Sequence, residues 1–141
     1  MVKMLVNSSH NVITLDNLST GFPELAKYGE LVVGDLAYEN LLDGLFSKHQ
    51  FDGVMHFAAA SLAGESMTDP AKYYRNNVSN TINLLDAMVK RNVKNFVFSS
   101  SAAVYGEPNS NLIDEDHVKA PINPYSSTKL MIERILKRLC N

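Results

Sequence analysis

A tyrosine and a lysine stand four positions apart near the end of the chain, in the stretch NPYSSTKL at residues 123–130. Tyr125 and Lys129 would lie on one face of a helix, because residues one turn apart project in the same direction. A phenol beside an ammonium group can take and return a proton, so the pair is a candidate for acid–base chemistry. The spacing alone is weak evidence, since a chance Tyr-x-x-x-Lys is expected roughly 0.4 times at this composition. An ordinary amphipathic helix could carry the same two residues.

An alternation of strands and helices leads up to this pair. Apolar, β-branched runs predict four buried strands of a parallel sheet, at residues 11–16, 31–35, 53–58 and 95–101. Helical spacing predicts helices over residues 38–48, over 70–91 after the start signal TDP, and over 125–139. The apolar stripe of the long helix would be Val78, Ile82, Leu85 and Val89. This order predicts an α/β fold with a doubly wound parallel sheet of the Rossmann type.

The carboxyl ends of the predicted strands hold the polar residues to inspect, since ligands of open α/β sheets bind there. Asp16 either accepts both hydroxyls of an adenosine ribose, for which a carboxylate offers two oxygens, or caps the turn DNLSTG. Ser101 either acts in catalysis or satisfies loop backbone. His56 is interpreted as a hydrogen-bonded core histidine. Residues 106–124, rich in Pro and Asn, predict a surface loop.

Composition narrows the class of protein. A chain of 141 residues with net charge −2 and no basic block fits one domain that binds small molecules, with no nucleic acid or membrane partner. The longest weakly polar run has 12 residues and no signal peptide is evident, so we expect a cytoplasmic protein. The single cysteine, Cys140, predicts no disulfide, and the spacing of the four histidines predicts no metal site.

Seven motifs, taken in order, resemble the NAD-dependent epimerase/dehydratase family of the extended short-chain dehydrogenase/reductase superfamily, and within it the UDP-glucose 4-epimerases. They are TLDNLSTG, GDL, HFAA, GES, DPAKYYRNNVSNTINLLDAM, VKNFVFSSSAAVYG and PINPYSSTKLMIE, and they cover nearly the whole chain. Sugar-nucleotide dehydratases of the superfamily usually carry an acidic pair where this chain has Ala102 and Ala103. That difference favours an epimerase, and another epimerase or dehydratase of the superfamily is the alternative.

The resemblance implies NAD along the strand ends and a UDP-sugar as substrate. Asp16 and Asn17 would contact the adenosine ribose, and Asp35 and Leu36 the adenine. The further implied cofactor contacts are Leu18, Ser19, Thr20, Gly21, Phe57, Ala58, Ala59, Ser61 and Asn76, together with Tyr125 and Lys129. Ser61 stands where the family often has lysine. The implied catalytic residues are Ser101, Tyr125 and Lys129, with no metal ion.

The implied reaction oxidises the C4 hydroxyl of the sugar to a ketone while hydride passes to the nicotinamide, and then returns hydride to the other face. A tyrosine that takes the hydroxyl proton at neutral pH needs its pKa lowered by about 3 units, roughly 4 kcal/mol. One positive charge about 4 Å away, at an effective dielectric near 20, supplies about that much. Lys129 is the implied source of the charge, and Ser101 would hydrogen-bond the reacting hydroxyl.

The glycine-rich fingerprint of dinucleotide-binding folds is expected about 20 residues before the ribose acid, yet the first glycine is Gly21. We therefore expect residues 1–141 to form a partial NAD-binding domain, lacking the first strand, the glycine-rich loop and the C-terminal sugar-nucleotide domain. In the strand order 3-2-1-4-5 the first strand is central. The sheet should then close up, borrow a strand or stay loose, and the isolated chain should be inactive.

The alternative function is a non-catalytic remnant or nucleotide-binding fragment that needs a partner polypeptide. The resemblance also implies a homodimer through the helices at residues 70–91 and 125–139.

Overall fold

The computed structural model describes residues 1–108 and 112–139. Part of the predicted surface loop, residues 109–111, lies outside this range, and so does Cys140. Six α-helices and four strands follow one another along the described chain. Their bounds are α1 Val2–Asn7, β1 Ile13–Asp16, β2 Glu30–Val33, α2 Glu39–Lys48, β3 Gly53–His56, α3 Ala63–Thr68, α4 Pro70–Tyr73, α5 Asn80–Lys90, β4 Asn95–Phe98 and α6 Pro124–Leu139.

The strands form two separate parallel pairs. β1 pairs with β2 in the register Ile13 to Glu30, and β3 pairs with β4 in the register Gly53 to Asn95. Within the described residues no hydrogen-bonded ladder joins the two pairs. The prediction of parallel strands alternating with helices is confirmed. Of the three expected states of the sheet, the two separate pairs exclude closing up among the described residues, and the choice between a borrowed strand and a loose sheet stays a prediction.

The main hydrophobic core lies between α2, α5 and one face of the strands. Leu42 and Phe46 of α2 meet Leu84, Leu85 and Met88 of α5. The strands add partly buried side chains to this cluster, namely Leu15, Val54 and Phe96.

The prediction that the strands are buried is wrong for one of their two faces. Alternate side chains of a strand point to opposite faces, and the core covers the face that carries Val54 and Phe96. On the other face Met55 and Val97 are 37% and 53% exposed. The strands are therefore half-buried.

The predicted long helix is present but contains a π-helical segment, Tyr74–Ser79, between α4 and α5. A π-helical turn holds more residues than an α-helical turn, so it rotates the face that follows it. The buried face of α5 is accordingly Thr81, Leu84, Leu85, Ala87 and Met88. Of the predicted stripe only Leu85 is buried, whereas Ile82 and Val89 are 40% and 67% exposed.

Helix α3 was not predicted, because six residues are too few to show a helical period. It is held by Tyr73, whose single hydroxyl hydrogen is shared between Leu62 O and Glu65 Oε2, each 2.7 Å from the phenolic oxygen. Among the described residues, no helix is long and apolar enough to cross a membrane.

Candidate functional site

Tyr125 lies in the first turn of α6, and Lys129 follows one turn later. The start of the helix is fixed by Asn123, whose Oδ1 accepts from Ser126 N at 2.8 Å. The Lys129 ammonium donates to Ser99 O at 2.8 Å and lies 6.0 Å from the centre of the Tyr125 ring. Only 3% of Lys129 is exposed, and this burial lowers the pKa of its ammonium group. The geometry thus holds a positive charge beside the phenol.

Three consecutive serines follow β4, and the first two contact α6. The carbonyl of Ser99 accepts from Lys129, and the hydroxyl of Ser100 donates to Glu133 Oε1 at 2.5 Å. Ser101 Oγ accepts from Ala103 N at 3.2 Å and so caps the short 3₁₀ helix Ala102–Tyr105. Ser101 therefore does satisfy loop backbone. Since its oxygen is the acceptor in that bond, its own hydrogen remains to be donated elsewhere.

Asp16 is the last residue of β1 and is exposed. Its Oδ1 accepts from Leu18 N at 2.7 Å, and Leu18 adopts a left-handed backbone with φ 55°. Asp16 therefore caps the turn, which is one of the two roles that the sequence predicted for it. That bond uses one lone pair of Oδ1, which leaves Oδ2 and the second lone pair of Oδ1 to accept other bonds, and the ribose interpretation stays a prediction. The turn continues with exposed Ser19, Thr20 and Gly21.

Asp35, two residues beyond β2, is bonded more extensively. Its Oδ2 accepts from Asn17 Nδ2 at 2.7 Å, which joins the ends of the two paired strands. Its Oδ1 accepts from Ala37 N at 2.8 Å and from Asn80 Nδ2 at 3.3 Å. The next carbonyl, Leu36 O, accepts from Asn83 Nδ2 at 3.1 Å. Asp35 is thus a structural junction as well as a candidate adenine neighbour.

The segment after β3 is attached to the π-helical segment by one side chain. Asn77 accepts from Ala60 N at 2.8 Å and donates to Ala60 O at 3.0 Å, so it matches both backbone groups of that residue. Asn76 donates to Asn77 Oδ1 at 3.0 Å. The other predicted cofactor contacts of this segment stay accessible: Phe57 is 53% exposed, Ala58 and Ser61 are exposed, and Ala59 is partly so.

Sequence reasoning missed Asn77, Asn80 and Asn83, which bind the loops after β3 and β2. A signal was present, because asparagine is a poor helix former and here recurs every three or four residues. Asparagines on one helical face indicate backbone groups to be satisfied opposite that face.

His56 is a core histidine, as interpreted from the sequence. It is 4% exposed, and its Nε2 lies 2.8 Å from Thr81 Oγ1. Because the Thr81 hydroxyl donates to Asn77 O at 2.5 Å, Nε2 must carry the hydrogen in the histidine bond. Burial, followed by the charge of Lys129, lowers the pKa of His56 to about 4.

The predicted site residues fall into two groups, joined by the helix that runs from Tyr74 to Lys90. One group lies around Asp16, Asn17 and Asp35, and the other around Ser101, Tyr125 and Lys129. Asn80 contacts the first group, while Asn77 reaches the second through Thr128. An exposed carboxylate with free lone pairs suits a ribose diol, and a buried cation beside a phenol suits the deprotonation of a hydroxyl that is to be oxidised. These polar side chains together therefore fit a dinucleotide that has a sugar at one end.

The chain is similar to known proteins over nearly its whole length. A model of the NAD dependent epimerase/dehydratase family matches residues 1–141. The chain is 43% identical over 133 residues to a UDP-glucose 4-epimerase of Rhizobium meliloti, covering 94% of this chain and 40% of that protein. It is 45% identical over 134 residues to one of Halalkalibacterium halodurans, covering 95% of this chain and 40% of the relative.

Solved structures of other proteins are also similar to this chain over nearly its whole length. A UDP-glucose 4-epimerase crystal structure superposes with a TM-score of 0.96 at 41% identity, covering 99% of this chain and 43% of that one. The enzyme from Brucella ovis, in complex with NAD, gives a TM-score of 0.94 at 42% identity, covering 97% and 42%. The chain thus spans about two fifths of the length of these relatives.

Proposed function

Because the chain belongs to the NAD dependent epimerase/dehydratase family, we propose that it binds NAD and carries the catalytic residues for interconverting UDP-glucose and UDP-galactose. The observation that carries the proposal is the buried Lys129 ammonium beside the Tyr125 ring, bound to the carbonyl of Ser99. The names of the similar proteins, UDP-glucose 4-epimerase, support the same activity. A role in galactose metabolism and a place in the cytoplasm are further parts of the proposal.

Tyr125 is proposed to take the proton of the sugar C4 hydroxyl at its phenolic oxygen. Lys129 stabilises the resulting negative charge, since a fixed cation in a partly buried site acts more strongly than one in water. Ser101 donates to the reacting oxygen and holds it near the phenol. NAD, when bound, would accept hydride and return it. Asp16 would hold the adenosine ribose at the far end of the cofactor.

The proposal is tested by titrating NAD into the purified chain in a calorimeter. Asp16→Asn should weaken binding, because an amide replaces one acceptor oxygen of the carboxylate by a donor. Asp52→Asn, in the exposed turn before β3, is the matched control and should bind as the wild type does. Absence of NAD binding at millimolar concentration, or equal affinity in both variants, would contradict the proposal.

Catalysis requires a separate test by the conversion of UDP-galactose. We propose that the chain by itself is inactive, as expected from the sequence, and turnover at an enzymic rate would refute that part.

Exposed Ile82 and Val89 on α5 and Met131 on α6 support a homodimer through these helices. Sedimentation of the purified chain measures its oligomeric state.

A nucleotide-binding fragment that needs a partner polypeptide is the second candidate. The two separate strand pairs favour it, because β1 and β3 each have one edge without a ladder partner among the described residues. Such edges can pair with an added strand. Recovery of NAD binding without turnover of UDP-galactose, seen only when another polypeptide is co-purified, would support this candidate over the first.

A further inference from the structure

Glu133 lies on α6 one turn after Lys129 and joins three parts of the molecule. Its Oε1 accepts from Ser100 Oγ and its Oε2 from Lys119 Nζ, both at 2.5 Å. Burial alone would raise the pKa of Glu133, but the bonds from Lys119 and Ser100 outweigh it and lower the pKa overall. The carboxylate is therefore charged and accepts on both oxygens.

Ser99 and Ser100 bind two successive turns of α6. The first contact joins Ser99 O to Lys129 Nζ, and the second joins Ser100 Oγ to Glu133 Oε1. These two contacts attach α6 to the end of β4 at two points along the helix axis, in addition to the bond that Thr128 accepts from Asn77 on the other side. The residue that follows them is Ser101, so its position relative to Tyr125 depends on this attachment.

We propose that the hydrogen bond between Ser100 and Glu133 is a positioning contact, which keeps Lys129 seated on Ser99 and the first turn of α6 in register with Ser101. Ser100 and Glu133 are then positioning residues for the proposed catalytic group. The inference rests on the proposed function for the roles of Tyr125 and Lys129. The geometry of the contact stands apart from those roles.

Ser100→Ala tests the contact without changing any charge. The measured quantity is the rate at which the Lys129 amine is acylated at pH 8, read by mass spectrometry against exposed Lys48. Loss of this hydrogen bond should raise the rate by about tenfold, which corresponds to about 1.4 kcal/mol and lies within the net worth of one hydrogen bond to a charged or neutral group. Ser100→Thr, which restores the hydroxyl, should return the rate towards the wild-type value.

Ser47→Ala is the matched control, because Ser47 donates to Asp43 O on α2, away from α6. It should leave the Lys129 rate unchanged. Glu133→Ala should behave like Ser100→Ala, whereas Glu133→Gln keeps an acceptor for Ser100 and should protect Lys129.

Two results would overturn the proposal. One is an unchanged Lys129 rate in Ser100→Ala. The other is a faster rate that is fully explained by the fraction of unfolded protein. Urea denaturation under the same conditions measures that fraction. NAD titration of the same samples separates the two proposals. A wild-type chain that fails to bind NAD defeats the proposed function, while the Lys129 rates still decide the positioning contact.

Discussion

Asn77 donates to Thr128 Oγ1 at 3.0 Å, joining the π-helical segment to α6 across 51 positions of sequence. Both residues are almost completely buried. The Thr128 hydroxyl in turn donates to Tyr125 O at 2.6 Å. The segment after β3, held by Asn77 at Ala60, is thereby connected to the turn that carries Tyr125. Buried polar networks of this kind stabilise one arrangement when every member is bonded.

Asn77→Ala should destabilise the protein by about 3 kcal/mol, because it removes the partner of the half-buried N–H and C=O of Ala60 and of the buried Thr128 hydroxyl. Urea denaturation measures the loss. Asn83→Ala is the comparison, since Asn83 makes one described bond, to Leu36 O, and is less buried. We expect Asn83→Ala to lower the free energy of unfolding by about 1 kcal/mol. Equal losses in the two variants would contradict the importance assigned to Asn77.

Asp16 and Asp35 should respond differently to substitution. Asp35→Ala removes the acceptor of three hydrogen bonds and should lower the free energy of unfolding by about 2 kcal/mol. Asp16→Asn keeps an oxygen for Leu18 N, so it should leave stability nearly unchanged and weaken NAD binding about tenfold. Calorimetric titration and urea denaturation of both variants measure the two effects. The reverse pattern would exchange the structural and binding roles of the two acids.

The stability of the fold should fall as pH is lowered through the range from 6.5 to about 4, because of His56. Its pKa is 6.5 in the unfolded chain and about 4 in the folded one, lowered first by burial and then by the charge of Lys129. In that range the unfolded chain binds the proton and the folded chain does not, so protonation favours unfolding. The loss should approach about 3 kcal/mol near pH 4.

The test is the pH dependence of the free energy of unfolding in His56→Gln, which can still donate to Thr81. Carboxylates also titrate at the acid end, so the difference from the wild type isolates the histidine. His10→Gln, exposed after α1, is the control and should keep the wild-type dependence. An unchanged slope in His56→Gln would remove His56 as its cause.

Substitution by alanine should change the stability of the protein in opposite directions at two glycines. Gly106 has φ 69°, and an added Cβ would stand 2.0 Å from Ala120 O. Gly106→Ala should therefore destabilise by about 3 kcal/mol, from backbone strain and a clash with main chain. A Cβ at Gly44, inside α2, would meet nothing within 4 Å. Gly44→Ala should stabilise by about 0.5–1 kcal/mol, since alanine is the better helix former. Thermal denaturation of both variants measures the signs.

The Tyr125 and Lys129 pair shows how far sequence reasoning reached. Its spacing placed both residues on one helical face, and α6 has that face against the serines after β4. The stripe of α5 shows where it failed. Val78, Ile82 and Val89 keep an α-helical period, but the preceding π-helical turn rotates α5 and leaves Ile82 and Val89 exposed.

The sequence by itself determined the strand and helix alternation, the acids at or just beyond the strand ends and the family, because these depend on local periodicity and on motifs read in order. The tertiary structure alone decided which partners the polar side chains found. Asn77 with Ala60, Asn80 with Asp35 and Glu133 with Ser100 are contacts between residues far apart in the chain. Such pairings depend on how helices pack against strand ends, which no local pattern encodes.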